Sequence, residues 1–238
     1  MYKPKKLIRK PRTRLTNRMP LEREIRRLQD EMLSLGSFVS RSILDSVEIL
    51  RNQDLSNARI LIAADEDVNR RRYAIEDAGL KLIATQNPLA SDLRTIAAIL
   101  EIATELERIS DYAKGIAKIA ITIGCEPLVY PMPELPRMAV KAQGMLRRAL
   151  FAFTERDVAL AHAIALQDDE VDSLYQTIYL EIMQTIINDP MTVENANYLL
   201  WVAHNLERTG DRSLNICERV IFTVTGKLVD LDDEVSEN

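Results

Sequence analysis

Residues 106–111 read Leu-Glu-Arg-Ile-Ser-Asp and residues 206–211 read Leu-Glu-Arg-Thr-Gly-Asp, one hexapeptide pattern written twice at an offset of 100. The match continues upstream of both copies. At an offset of 103, Asp54, Ala58, Asp65 and Val68 recur as Asp157, Ala161, Asp168 and Val171, with Asn69 corresponding to Asp172. Asn87-Pro88 recurs as Asp189-Pro190 at an offset of 102. A drift of three over a hundred residues is small, so the chain is a tandem duplication, and a unit of about 100 residues is long enough to bury its own core.

Each unit reads as three helices. In the first, Ile25, Leu28, Met32, Leu35, Val39, Ile43, Val47 and Leu50 recur at steps of three and four, one apolar stripe on a helix from about 20 to 51. A polar break at 52–54 leads to a helix over about 55–85, and Asn87-Pro88 reads as an N-cap with Pro at the first position of a third helix that runs to about Ile123, with Gly124 as its C-cap. Residues 125–136 hold four prolines and form the joint between copies. The second unit repeats the plan with a helix over about 134–154, a break at 155–157, a helix to about 188, and a last helix over about 190–225. Short connections favour antiparallel neighbours. The expected fold is therefore all-α: a tandem duplication of an antiparallel three-helix bundle, six long helices in all. The boundaries are a basic N-terminal extension over 1–20, expected to be disordered, bundles over 21–124 and 134–226, a Pro-rich linker over 125–133, and an acidic tail over 227–238.

Composition agrees with this reading. The 238 residues are 47% apolar, too apolar for a disordered chain, while seven Gly and 5% aromatics are too few for a turn-rich sandwich or barrel. The nine prolines leave long uninterrupted windows for helices, where an interior Pro would cost about 3 kcal/mol. The net charge of −5 conceals an asymmetry, because residues 1–20 carry eight Lys or Arg and no acid. The rest holds 23 basic against 36 acidic residues, a net of −13, which repels nucleic acid backbones and tolerates cations. The N-terminus lacks the apolar region of a signal peptide, and no window reaches the roughly 20 apolar residues of a spanning helix, so a cytoplasmic protein without membrane insertion is expected. Cys125 and Cys217 lie far apart and imply neither a disulfide framework nor a thiolate metal site.

The repeated hexapeptide also carries the candidate chemistry. In the third helix Ile96, Ile99, Ala103, Leu106, Ser110, Ala113, Ala117 and Ala120 form a bundle seam, and in the last helix Ala196, Leu199, Ala203, Leu206, Gly210, Ser213, Cys217 and Val220 do the same. Glu107 and Asp111, and likewise Glu207 and Asp211, lie one residue past seam positions and share one flank of the buried stripe. Like charges at this spacing destabilise a helix by roughly 0.2–0.5 kcal/mol, and partial burial adds to that unless something positive is present. A second polar stripe, Asp65 with Asn69 and Asp168 with Asp172, sits in register. Where helices two and three of a unit face each other, each site gathers about four oxygen donors, a set suited to magnesium, manganese, calcium or oxidised iron, and less to zinc. The small Ser110 or Gly210 between the carboxylates leaves room for a ligand or a close-packed helix. His204 precedes Glu207 by three residues but corresponds to Thr104, so the duplication does not support it as a ligand. His162 has no carboxylate at ligand spacing.

The element order, the Asp-x-x-Val-Asn/Asp stretches at 65–69 and 168–172, the run Gln86-Asn87-Pro88-Leu89-Ala90-Ser91-Asp92-Leu93-Arg94 and the two Leu-Glu-Arg-x-x-Asp motifs resemble the PhoU family of phosphate-uptake regulators over about residues 21–225. The resemblance implies a non-enzymatic cytoplasmic regulator that acts with the ATPase subunit of the phosphate ABC transporter and with a sensor histidine kinase, holding phosphate-starvation signalling off when phosphate is plentiful. It also implies metal clusters of iron, magnesium, manganese or zinc at the carboxylate motifs and pairing as a homodimer. The basic residues 1–20 exceed the family's usual short start, and Asn69 in place of an acid makes the two sites unequal in charge.

Two other readings stand beside this one. A carboxylate-bridged di-metal oxidase would want Glu-x-x-His on facing helices, and the sequence has none. A metal-free helical scaffold would pair or cap its repeated carboxylates internally. No nucleophile with a base, phosphate-cradling Gly loop or stacking aromatic on a basic face is present.

Overall fold

The structure is a computed structural model that describes residues 18–128 and 133–231. Six helical segments occupy the predicted places, the fifth in two pieces. The first unit comprises α1 (Arg18–Asn52), α2 (Leu55–Gln86) and α3 (Ala90–Ile123). The second comprises α4 (Glu134–Glu155), α5 (Val158–Ala165), α6 (Asp168–Asn188) and α7 (Val193–Thr225), with a 3-10 turn at Pro190–Thr192 before α7. The expected extension over 1–20 contributes its last three residues to α1, and its remainder lies outside the described residues, as do most of the tail over 227–238 and the middle of the linker.

Every residue of the α1 stripe and of the two seams is buried. Both seam helices sit at the centre. α3 packs on α1, α2 and α7, while α7 packs on α4, α5, α6 and α3, so the two bundles share one continuous apolar core with a second junction where α1 meets α4. Across the central junction Arg219 meets Glu101 (2.6 Å), Asn215 meets Glu105 (3.2 Å) and Arg212 Nε donates to the Tyr112 hydroxyl (3.3 Å). A rising number on one helix pairs with a falling number on the other, so α3 and α7 run antiparallel. Tyr112 and Arg212 are equivalent positions of the two units, and their contact marks an approximate two-fold axis between the repeats.

The α1–α2 and α4–α5 corners are built alike. Gln53 and Arg156 adopt left-handed backbone (φ 51° and 55°), and the Asp54 and Asp157 N–H groups close back on the carbonyls of Ile49 (3.0 Å) and Ala152 (2.9 Å). This is the long hydrogen bond that ends a helix in a left-handed turn. Asp54 and Asp157 then cap the following helix, accepting from Asn57 N–H (3.0 Å) and Leu160 N–H (2.9 Å).

Two local expectations change. Asn87 does not cap α3: its backbone is left-handed (φ 52°) and terminates α2, and α3 begins at Ala90 after an extended Leu89. Asn tolerates this conformation better than other side chains, and Pro commonly follows such a cap. Asp189, by contrast, caps the 3-10 turn at Pro190 by accepting from Met191 N–H (3.0 Å), so the two X-Pro pairs are not equivalent. The second change is the break at Leu166-Gln167. It places Asp168, Asp169 and Glu170 in the first turn of α6, where the helix dipole favours acids.

Cys217 is fully buried, and desolvation pushes its thiol up to about 12, leaving a packed and unreactive group. Leu231 is buried too, its N–H donating to Glu218 Oε1 (3.2 Å), so the start of the acidic tail folds back on α7.

Candidate metal centres

The grooves between α2 and α3 and between α6 and α7 each assemble a carboxylate cluster from residues the sequence singled out. They differ in how their charge is balanced.

In the α2–α3 cluster Asp65 is buried within the groove. The Lys114 ammonium lies between two carboxylates, 2.6 Å from Asp65 Oδ2 and 2.8 Å from Asp111 Oδ1. Ser110 Oγ is 3.4 Å from Asp65 Oδ1, and the Asn69 amide donates to the carbonyl and the carboxylate of Asp65, each at 3.2 Å. Asn69 thus supports Asp65 as a donor. Glu107 completes the set; burial raises its carboxyl above the ordinary range, Asp111 and Asp65 add to the rise, and Arg72 and Arg108 oppose it. Partial burial pulls Lys114 down, and the contacts with Asp111 and Asp65 outweigh it and leave the ammonium raised.

In the α6–α7 cluster the position matching Lys114 is Leu214, and the position matching Arg72 is Tyr175. Two permanent cations are replaced by neutral side chains. The position matching Thr104 is His204, whose Nδ1 is 3.1 Å from Glu207 Oε2, with Trp201 and Tyr175 packed around the ring at 6.0 and 6.4 Å between centroids. Glu207 is raised by burial first, then by Asp211 and Asp172, with His204 and Arg208 opposing. Asp211 pairs with Arg208 at 2.9 Å. Asp168 approaches the α7 backbone so closely that a Cβ added at Gly210 would lie 2.7 Å from its Oδ1. The small residue here leaves room for the Asp168 carboxylate.

All eight residues singled out by spacing stand in these two grooves; Lys114 is not among them, and His204 is set aside because its counterpart is Thr104. Lys114 follows Asp111 by three residues on the same flank of α3, and His204 precedes Glu207 by three, so helical spacing alone held the signal for both. Among the described residues no three His, Cys, Asp or Glu side chains converge closely enough to cage a metal as they stand. By donor chemistry the α6–α7 set, carboxylates with an imidazole beside Glu207, fits a metal ion. The α2–α3 set does not fit one comparably, because an ammonium already bridges its carboxylates.

The raised Glu207 carboxyl gives a pH test. The folded protein holds this proton more tightly than the unfolded chain, whose value is near 4.5. The group is neutral for stability well below 4.5 and increasingly destabilising as pH rises from there through the raised folded value. Glu207→Gln, which keeps the size of the side chain but cannot ionise, should raise the melting temperature in EDTA by a few degrees at pH 7 and leave it unchanged at pH 4. Thermal melts of both proteins at the two pH values check this, and a lower melting temperature for the variant at pH 7 would contradict the assigned repulsion.

The PhoU domain pattern matches residues 32–120 and 135–220, one match for each bundle. A phosphate-specific transport system accessory protein PhoU homolog from Clostridium acetobutylicum is 36% identical over 89% of this chain and 97% of its own length. The phosphate-specific transport system accessory protein PhoU of Escherichia coli is 32% identical over 86% of this chain and 85% of its own. The crystal structure of the phosphate transport system regulatory protein PhoU from Streptococcus pneumoniae superposes with a TM-score of 0.82 at 30% identity, covering 88% of this chain and 99% of that one. No helix among the described residues is long and apolar enough to cross a membrane.

Proposed function

Because this chain belongs to the PhoU family, we propose that it is a non-enzymatic, cytoplasmic regulator of phosphate transport and of phosphate-starvation signalling. It represses the starvation response when phosphate is plentiful by engaging the ATPase subunit of the phosphate ABC transporter and a sensor histidine kinase. The observation that most supports this is the similarity to accessory proteins of phosphate transport along nearly the full length of both repeats. The structural contribution is a rigid double bundle with long exposed helical faces, on which α2 and α6 form the outer layer.

Metal binding belongs to the same proposal. At the α6–α7 cluster Glu207, Asp211, Asp168 and Asp172, with His204 beside them, would hold a divalent or trivalent ion such as iron, manganese or magnesium. A bound cation there would relieve the repulsion among the carboxylates and tie the outer helix to the central one. At the α2–α3 cluster Asp65, Asn69, Glu107 and Asp111 are the corresponding residues, and Lys114 favours the metal-free reading for that half.

The regulatory reading is tested by affinity purification of the tagged full-length protein from cells grown at high and at low phosphate. Phosphate-dependent recovery of the transporter ATPase and of the kinase is expected. Absence of any phosphate-dependent association with either would overturn it.

A further inference from the structure

We propose that Lys114 is the built-in counter-cation of the α2–α3 carboxylate cluster and closes it to metal ions, so that metal uptake by this chain is confined to the α6–α7 cluster. The inference rests on the metal reading given above for its second half and stands on Lys114 alone for its first. The ammonium bridges carboxylates from two helices, at 2.6 Å to Asp65 on α2 and 2.8 Å to Asp111 on α3. That bridging position between the outer and the central helix is the one a metal ion would need. An ion entering there must displace a bound ammonium and meet its repulsion at contact distance, and Arg72 adds a second positive field on Glu107.

The other repeat is the internal control. The same scaffold carries Leu214 for Lys114, Tyr175 for Arg72 and His204 for Thr104. Two permanent cations are absent and a nitrogen donor is present, so the duplicated grooves have diverged in opposite electrostatic directions. Leu214 is buried and offers the carboxylates nothing. In one cluster the chain itself places an ammonium between carboxylates of two helices, and at the matching position of the other it places a leucine.

The test uses full-length protein stripped with EDTA, dialysed against manganese chloride and counted for bound manganese by mass spectrometry. Glu207→Gln/Asp211→Asn should lower bound manganese at least tenfold, while Glu107→Gln/Asp111→Asn should leave it at the wild-type level. Lys114→Met should gain a manganese population that is lost again when Glu107→Gln/Asp111→Asn is added, and Lys114→Arg should gain none. Should Lys114→Met fail to fold, Lys114→Gln carries the same comparison. The proposal is overturned if Glu107→Gln/Asp111→Asn lowers manganese in an otherwise wild-type chain, or if neither neutral Lys114 variant binds more than wild type. If wild type binds none and the neutral variants do, the role of Lys114 stands and the metal reading of the α6–α7 cluster falls.

Discussion

Leu106→Ala should lower the unfolding free energy by about 2–5 kcal/mol. Leu106 is fully buried in the α3 seam, and α3 packs against α1, α2 and α7 at once. Both of its δ-methyl groups lie 3.6 Å from where a Cβ would stand on Gly36 of α1. The absence of that Cβ leaves room that Leu150 of α4 fills, and Leu106 packs beside it at ordinary van der Waals contact. Truncation opens a void at a fully buried point of the central helix, where collapse is restricted by the packed neighbours, so the cost belongs in the upper half of the range. A domain of this kind has about 5–15 kcal/mol in all. Leu180, which is 64% exposed, is the control: its replacement by Ala should change stability by no more than about 0.5 kcal/mol. Urea denaturation of the three proteins decides the matter, and a loss below about 1 kcal/mol for Leu106→Ala would show that α3 is not the central helix of the bundle.

The second large effect is a reversal. Lys114→Met alone should cost about 3 kcal/mol in metal-free buffer, because it strands the buried Asp65 carboxylate without its counter-charge. Asp111 is 47% exposed and is left to water with little penalty. Adding Asp65→Leu to Lys114→Met should restore most of that loss, since replacing both members of a buried pair by apolar groups of similar size is commonly neutral or better. Stability would then follow charge balance in the groove and not the number of contacts. A double variant as unstable as Lys114→Met would mean that Lys114 acts through packing of its aliphatic stem.

The stripe on α1 and the two seams were legible because each is a long run of apolar residues at steps of three and four, and burial of such a run needs no knowledge of the partner helix. The duplication was legible for the same reason: polar residues repeated in register are visible without coordinates. What escaped is set by geometry between elements. Asn87 was open to two assignments, because Asn suits both the start of a helix and a left-handed end, and only the backbone path chooses. The three successive acids after the break do not signal it, because α2 carries Asp65, Glu66 and Asp67 at the equivalent place and continues unbroken, so the repeat itself argued against a break. That Lys114 reaches Asp65 depends on the rotation of α2 about its own axis. Few α2 residues are buried, principally Ala58, Asp65, Val68, Ile75 and Gly79, and so sparse a stripe leaves that rotation undetermined until the helix is docked.

The contact between Tyr112 and Arg212 on the two-fold axis sets a limit on what two separate chains could have done. In a pair of identical subunits joined through the same helix, this position would face its own copy, and an arginine there would confront an arginine. Only self-compatible residues would be admissible. Carrying both halves on one polypeptide removes the restriction, because each side of the axis is encoded independently. The same freedom extends to positions away from the axis, where one half carries lysine and the other leucine. A fused pair can therefore hold one half permanently neutral and leave the other responsive, a division of labour closed to a symmetric dimer.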